Sequence, residues 1–439
     1  MPTSLRTIIV ALALASLGLT AGARDASAAG EPGCAIFPPD NPWNTDVSNF
    51  PLHPQSDAFV NSIGRTDHLH PDFGTVWNGA PIGIPYVIVP GSQPDVPVSF
   101  FWPDESDPGP YPVPPDAPIE GAPTDGNPNF GGDRHVLVID DTNCMLYEMF
   151  DSHPVNGGQS WTAGSGAVFD LNSNALRPDF WTSADAAGLP IFPGLVRYEE
   201  VVQQGVIDHA LRFTISTSQR AFIHPATHYA SSNTNPNVPP MGLRFRMKAS
   251  YSCAAFSAEV QVICTAMKKY GMFVADNGSD WYVSGAPDPR WSDDSLGDLK
   301  TIPGDAFEVV DTGEQLITDQ TYGDNDGDGY TNGAEASIGT GAADPCGGTG
   351  WPSDLVPGGL SPNALTVEDL ASFVAPVRRI GKSPGQPGFS ARWDLVPGTT
   401  LGGAHINVVD LAGPMTGVTG YPPMLGGQRA FGHECPFPP

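Results

Sequence analysis

The chain has 439 residues, and its 48 acidic side chains against 20 Lys and Arg give a formal net charge of −28 at pH 7. So acidic a protein is a poor partner for nucleic acid or an anionic membrane, because both are bound through basic surfaces. The 51 glycines and 47 prolines, with only 15% charged residues, are typical of short strands joined by many turns rather than of long helices.

Residues 1–30 have the pattern of a secretory signal peptide. Arg6 supplies the positive start, residues 8–19 the apolar segment, and Ala26-Ser27-Ala28 a cleavage site of small residues. The apolar segment is too short to cross a bilayer, and no other stretch is long enough. We therefore expect a secreted protein without membrane insertion.

Residues 31–318 are predicted to form a β-rich main domain. Residues 135–139 and 144–150 are apolar segments separated by the turn 140–143, which predicts a β-hairpin. Further predicted strands are 84–89, 96–102, 167–171, 210–215, 221–224, 242–247, 272–275 and 281–283.

Two helices are predicted in the same region. Residues 257–270 carry apolar side chains at helical spacing and end before Gly271, and a short helix is expected within 183–187 or 197–204. Many short strands with one or two helices predict a β-sandwich or jelly-roll-like fold. The alternation of strands and helices that a parallel sheet needs is missing.

Six cysteines in an exported chain predict three disulfide bonds. Their spacing favours the pairs Cys253–Cys264 and Cys346–Cys435, which leaves Cys34 with Cys144. Fifteen pairings are possible, so this one depends on the bonds lying within domains.

Three histidines are candidates for chemistry. His209 lies in a predicted strand, and His224 and His228 follow it four residues apart. If the segments pair, three imidazoles would make a zinc or copper site; the alternative is a hydrogen-bonded core histidine and two loop histidines. A single functional histidine would be His228, as a general acid or base.

Residues 165–200 combine carboxylates, amides and an indole ring, which a sugar-binding groove requires. Asp185 and Glu199 are the candidate catalytic carboxylates, with His228 as a third catalytic candidate. The expected substrate-binding residues are Trp181, Asp170, Arg177, His209 and Trp281. An Asx-rich turn and a surface helix are the simpler interpretation of this region.

Asn277-Gly278 predicts a tight hairpin turn between residues 272–275 and 281–283. Asp276 and Asp280, which flank this turn, are candidates for the rim of a cleft together with Trp281 and Trp291.

Residues 324–335 match the calcium-loop template position by position. Carboxylates stand at loop positions 1, 3 and 5, a glycine at 6, and a glutamate at 12. Calcium prefers six to eight oxygen ligands, which this spacing arranges around one centre. The predicted Ca²⁺ ligands are Asp324, Asp326, Asp328, the Tyr330 carbonyl, Asn332 and Glu335.

Downstream of this loop, residues 351–371 recur as residues 392–412, an internal repeat of about 40 residues. With the calcium loop, this repeat makes residues 319–439 resemble dockerin-type modules and the EF-hand-like calcium repeats of bacterial exported proteins. The resemblance implies a small α-helical calcium-binding module. By analogy with dockerins, it also implies a cohesin-like protein partner.

The leading hypothesis is a secreted carbohydrate-active protein that binds, and as a glycoside hydrolase would cleave, an extracellular polysaccharide or cell-surface glycan. Calcium would stabilise its dockerin-like tail. A non-catalytic binding or adhesion protein is the second hypothesis, and a metalloenzyme ligated by histidines is the third.

Overall fold

The computed structural model describes residues 32–121 and 132–318. The predicted signal peptide, the calcium loop with its six ligands, the internal repeat and the Cys346–Cys435 pair lie outside these residues. The described part consists mostly of β-sheets with few helices, as the sequence predicts.

The strands are β1 His70–Asp72, β2 Val76–Trp77, β3 Ala80–Pro81, β4 Tyr86–Val89, β5 Val98–Phe100, β6 Val136–Asp140, β7 Met145–Phe150, β8 His153–Val155, β9 Ser160–Ala163, β10 Ser165–Asp170, β11 Leu211–Ile215, β12 Arg244–Met247, β13 Met272–Asn277, β14 Tyr282–Ser284 and β15 Phe307–Val309. The α-helices are α1 Ser56–Ile63, α2 Ala258–Lys269 and α3 Asp293–Leu296. A π-helix spans Glu199–Gln204, and short 3-10 helices span Pro42–Asn44, Pro103–Glu105, Phe192–Gly194, Gly297–Thr301 and Gly304–Ala306.

The larger sheet has six strands in the order β1-β14-β11-β13-β12-β15. β1 pairs with β14 and β11 with β13 in parallel, and the other neighbours are antiparallel. Because β11 lies between β13 and β14, those two strands are not a hairpin, and the tight turn predicted at Asn277-Gly278 is wrong. The chain instead crosses the end of β11, where the Asp280 carboxylate accepts hydrogen bonds from the Ser216 backbone N–H and hydroxyl.

The second sheet has four strands in the order β10-β7-β6-β4. Its β6–β7 pair is the predicted hairpin, with Val138 opposite Tyr147. All five residues of β6 are buried. The reason is that the two faces of β6 enter different hydrophobic clusters, with Leu137 in the main one and Val138 in a smaller one. The main cluster also contains side chains of the six-stranded sheet, so one face of β6 and β7 is directed toward that sheet.

Helix α2 confirms the helix predicted at residues 257–270. Its apolar face, which includes Val260, Ile263 and Met267, is buried in the main cluster. The helix ends at Lys269, and Gly271 follows the C-cap residue Tyr270 with a φ of 69°, in the left-handed region that favours glycine.

Two of the predicted disulfide bonds are present. Cys253 is bonded to Cys264 of α2, and Cys34 is bonded to Cys144, just before β7. The second bond ties the N-terminal segment to the β6–β7 hairpin across 110 residues of sequence. None of the helices in the described ranges is long and apolar enough to cross a membrane.

Candidate active site

A polar row crosses the six-stranded sheet at β1, β14 and β11. Asp72 lies opposite Ser284, and the antiparallel register of β14 with β11 places Ser284 beside Arg212. Side chains of directly opposite residues project from the same face of a sheet, so the three share a face. The Arg212 Nη1 donates to the Ser284 hydroxyl at 2.6 Å. The row therefore holds a guanidinium in the middle of a strand that is otherwise almost wholly apolar.

Arg212 is paired with Asp185 through two hydrogen bonds. Its Nη2 donates to Oδ1 at 3.1 Å and its Nε to Oδ2 at 3.3 Å. Both side chains are almost completely buried. Burial raises the pKa of Asp185, and the Arg212 charge opposes that effect. The guanidinium stays charged, because Asp185 and further carboxylates outweigh the effect of burial and raise the pKa of Arg212.

Asp276 on β13 carries a carboxyl that retains its proton close to neutral pH. Burial and then the negative charge of Asp185 raise its pKa to about 7, although Arg212 and His135 act in the opposite direction. The residue is only half-buried, so solvent reaches it. A carboxyl of this kind is available as a proton donor at neutral pH.

His135, just before β6, forms a buried pair with Glu120. Its Nδ1 lies 2.5 Å from the Glu120 Oε2, and its Nε2 lies 2.9 Å from the Ala184 carbonyl oxygen. Burial alone would lower the pKa of His135, but the Glu120 carboxylate outweighs it and raises the pKa to about 9. Burial also disfavours the Glu120 charge, and the positive charge of His135 outweighs burial and lowers the pKa of Glu120. The pair is thus an imidazolium and a carboxylate at neutral pH.

Glu148 on β7 is completely buried on the face directed toward the six-stranded sheet. Its carboxyl accepts hydrogen bonds from the backbone N–H groups of Ile191 and Phe192 at 2.8–3.0 Å. Burial raises its pKa to about 7. Its contacts fix the segment that follows Asp185, which gives Glu148 a structural role.

Asp72 and Asp133 are the solvent-exposed members of this group. Removal of water by the neighbouring protein raises the pKa of Asp72, and the negative charges of Glu120 and Asp133 add to that effect. Arg212 acts in the opposite direction and favours the ionised form of Asp72. We call the whole group the charged centre; it consists of Asp72, Glu120, Asp133, His135, Glu148, Asp185, Arg212 and Asp276.

One predicted catalytic residue, Asp185, lies in the charged centre. Glu199 is elsewhere, in an ion pair with Arg290. The His228 Nδ1 lies 2.8 Å from the Ala186 carbonyl oxygen, one residue from Asp185.

The three histidines predicted as a metal site do not converge. His209 contacts Glu200 and Arg197 in a buried cluster, whereas the His224 Nε2 is 2.8 Å from an oxygen of Asp179. Within the described part of the chain, one group of three or more metal-ligating side chains comes together, and it contains none of these histidines.

The predicted substrate-binding residues have separate surroundings. Trp281 is completely buried and stacks on Phe213 in the core, so it cannot present its ring to a substrate, and this prediction is wrong. Asp170 is exposed and accepts a hydrogen bond from the backbone of its own turn. Arg177 is buried against Asp107, and its guanidinium lies 5.7 Å from the centre of the Trp181 ring.

The sequence prediction missed most of the charged centre, although one signal was present. Glu148 and Arg212 each interrupt an apolar strand, and a charge in such a strand is buried only when it has partners. The two strands come from different sheets, and only the fold shows that both charges face the same interior.

Comparison with known protein families, with characterised proteins and with solved structures finds no match to this chain.

Proposed function

We propose that the chain is an exported hydrolase of a neutral extracellular polysaccharide, with the charged centre as its active site. The proposal is supported by Asp276, a half-buried carboxyl group beside Asp185 and Arg212 whose surroundings raise its pKa to about 7. The pKa of Asp276 is raised in the same centre in which the pKa of Glu120 is lowered, so that Glu120 is ionised. Carboxyl groups whose surroundings move their pKa values apart are characteristic of acid–base catalysis.

In the reaction proposed, Asp276 donates its proton to the leaving oxygen as the glycosidic bond breaks. The exposed Asp72 takes a proton from a water molecule, whose oxygen forms the new bond to the sugar carbon. The pKa of Asp72 is raised overall, and the Arg212 charge opposes that rise and favours the ionised form that a base requires. The contacts of Arg212 with Asp185 and Ser284 hold the guanidinium in place. Arg212 and Asp185 are therefore positioning residues.

The substrate class rests on charge and on exposed aromatic rings. A net charge of −28 disfavours an anionic polymer. Phe101 and Trp102 are 76% and 47% exposed and touch each other edge to face. Trp102 stacks on Phe150, and Phe150 contacts the His135 ring, so a surface suited to pyranose rings lies two ring contacts from the charged centre.

The test is the release of reducing ends from a panel of neutral polysaccharides. We expect the Asp276→Asn variant to lose about 10²-fold or more of the rate, which is the usual contribution of a general acid. Wild-type activity should fall as the pH rises through about 7, because Asp276 then loses its proton. The matched control is Asp280→Asn, four residues away, where the carboxylate accepts hydrogen bonds from the Ser216 backbone N–H and hydroxyl. Equal rates for Asp276→Asn and wild type would remove Asp276 from the chemistry.

The exposed Phe101–Trp102 pair also supports a second candidate, a non-catalytic glycan-binding or adhesion protein. Such a protein would retain a polysaccharide in a pull-down without releasing sugar. Trp102→Ala would weaken retention, whereas Asp276→Asn would leave it unchanged.

We also propose that residues 319–439 bind Ca²⁺ through Asp324, Asp326, Asp328, Tyr330, Asn332 and Glu335. This proposal rests on the sequence template alone. The dockerin-like role and a cohesin-like partner remain proposals of the same kind, as does the sandwich or jelly-roll arrangement of the main domain.

A further inference from the structure

We propose that Glu120, Asp133 and His135 bind a divalent transition-metal ion, such as zinc, at the edge of the charged centre. One ligand atom from each residue lies within 4.8 Å of the others. Two ligands on one zinc ion are at most about 4.2 Å apart, because zinc bonds to nitrogen and oxygen are about 2.1 Å long. Small side-chain movements therefore bring the three donors onto one ion. The site does not require the chain to be a hydrolase.

His135 has the hydrogen bonding of a metal ligand. Its Nε2 lies 2.9 Å from the Ala184 carbonyl oxygen, which can only accept, so Nε2 carries a hydrogen and donates it. Metal-binding histidines commonly donate their second N–H to a carbonyl in this way, which fixes the ring and directs the other nitrogen at the ion. Here the other nitrogen is Nδ1, on the side of Glu120.

The backbone holds the three residues in register. The Glu120 N–H donates to the His135 carbonyl at 3.0 Å, so these residues lie across from each other on neighbouring segments. The Asp151 N–H donates to the Asp133 carbonyl at 2.8 Å and anchors the third residue from the other side. The donors therefore come from fixed segments, as a preformed site requires.

The charge of the surroundings favours a cation. Without Asp276 and Glu148, whose pKa values are raised to about 7, the charged centre still holds four carboxyl groups against two basic side chains, Arg212 and His135. Asp72 shows the consequence, since the charges of Glu120 and Asp133 help to raise its pKa. A divalent ion between Glu120 and Asp133 would relieve this repulsion.

The donor set indicates which ions fit. One imidazole nitrogen and two carboxylate oxygens suit zinc, manganese or ferrous iron, whereas calcium prefers oxygen ligands alone. On binding, the ion replaces the proton between the His135 Nδ1 and the Glu120 Oε2, and that 2.5 Å contact opens to admit both atoms as ligands. This site is therefore distinct in chemistry from the predicted calcium loop.

The experiment is isothermal titration of the full chain with zinc in buffer saturated with calcium, so that calcium-selective sites are filled first. Wild type should bind one zinc ion with defined affinity, and Asp133→Asn and Glu120→Gln should each bind it at least tenfold more weakly. His153→Gln is the matched control, because His153 and Asp151 form an exposed imidazole–carboxylate pair with a 2.9 Å contact. Cobalt should give a visible absorption band in wild type that Asp133→Asn lacks.

Asp133 is exposed, so its substitution should not disturb folding, and near-ultraviolet circular dichroism checks this directly. Zinc binding that is unchanged in both Asp133→Asn and Glu120→Gln would overturn the proposal. So would the absence of zinc binding by wild type. Loss of binding in His153→Gln as well would assign the ion to the exposed His153–Asp151 pair and equally overturn the proposal.

Discussion

Arg212 organises the charged centre at the scale of single residues. It donates to Asp185 and Ser284, and its charge acts on Asp72, Glu120 and Asp276. A buried guanidinium is tolerated only when acceptors surround it, because removing a charge from water is costly. Arg212 thus supplies the partner that the buried Asp185 carboxylate requires, and its charge also affects the protonation of the neighbouring carboxyl groups.

We predict that Arg212→Met lowers the free energy of unfolding by about 3–5 kcal/mol, because it leaves the buried Asp185 carboxylate without its partner. The matched substitution Arg65→Met removes an arginine from exposed pairs with Asp57 and Asp305 and should cost about 0–1 kcal/mol. Urea denaturation of both variants checks the difference. Equal losses would mean that the Arg212–Asp185 pair contributes no more than a surface pair.

At the scale of elements, the sequence correctly predicts those helices and strands whose pattern lies within one short segment. The β6–β7 hairpin follows from two apolar segments and a turn, and α2 follows from helical spacing that ends at Gly271. Parallel pairing has no such signal. β11 and β13 are neighbours although they are separated by β12 and α2, and no short segment of sequence encodes that register.

The same difference between local sequence signals and tertiary contacts explains which residues of the candidate site the sequence predicts. The sequence predicts Asp185 because its own segment is rich in polar residues. Its partner Arg212 and the nearby Asp276 and His135 lie on segments that only tertiary structure brings together. Trp281 is predicted to bind substrate, but packing against Phe213 buries it in the core.

At the scale of the whole molecule, two kinds of cation are expected to act on a strongly acidic chain. A transition-metal ion such as zinc belongs to the edge of the charged centre, and calcium belongs to the loop at residues 324–335. Calcium bound to that loop would stabilise its native form by mass action.

We predict that EDTA lowers the melting temperature of a thermal transition of the full chain, and that added calcium restores it. Glu335→Gln, which removes the ligand at loop position 12, should weaken this response. Differential scanning calorimetry with and without calcium makes the measurement. A transition unmoved by EDTA in wild type would contradict the calcium assignment.

The proposed chemistry requires Asp276 to be protonated near neutral pH. Carbon-13 NMR of aspartate-labelled protein, with Asp276→Asn to assign the signal, measures its titration directly. We expect the Asp276 carboxyl to titrate near pH 7. A titration near pH 4, the range of an ordinary aspartate, would show that the residue is ionised at neutral pH and would contradict its role as the acid.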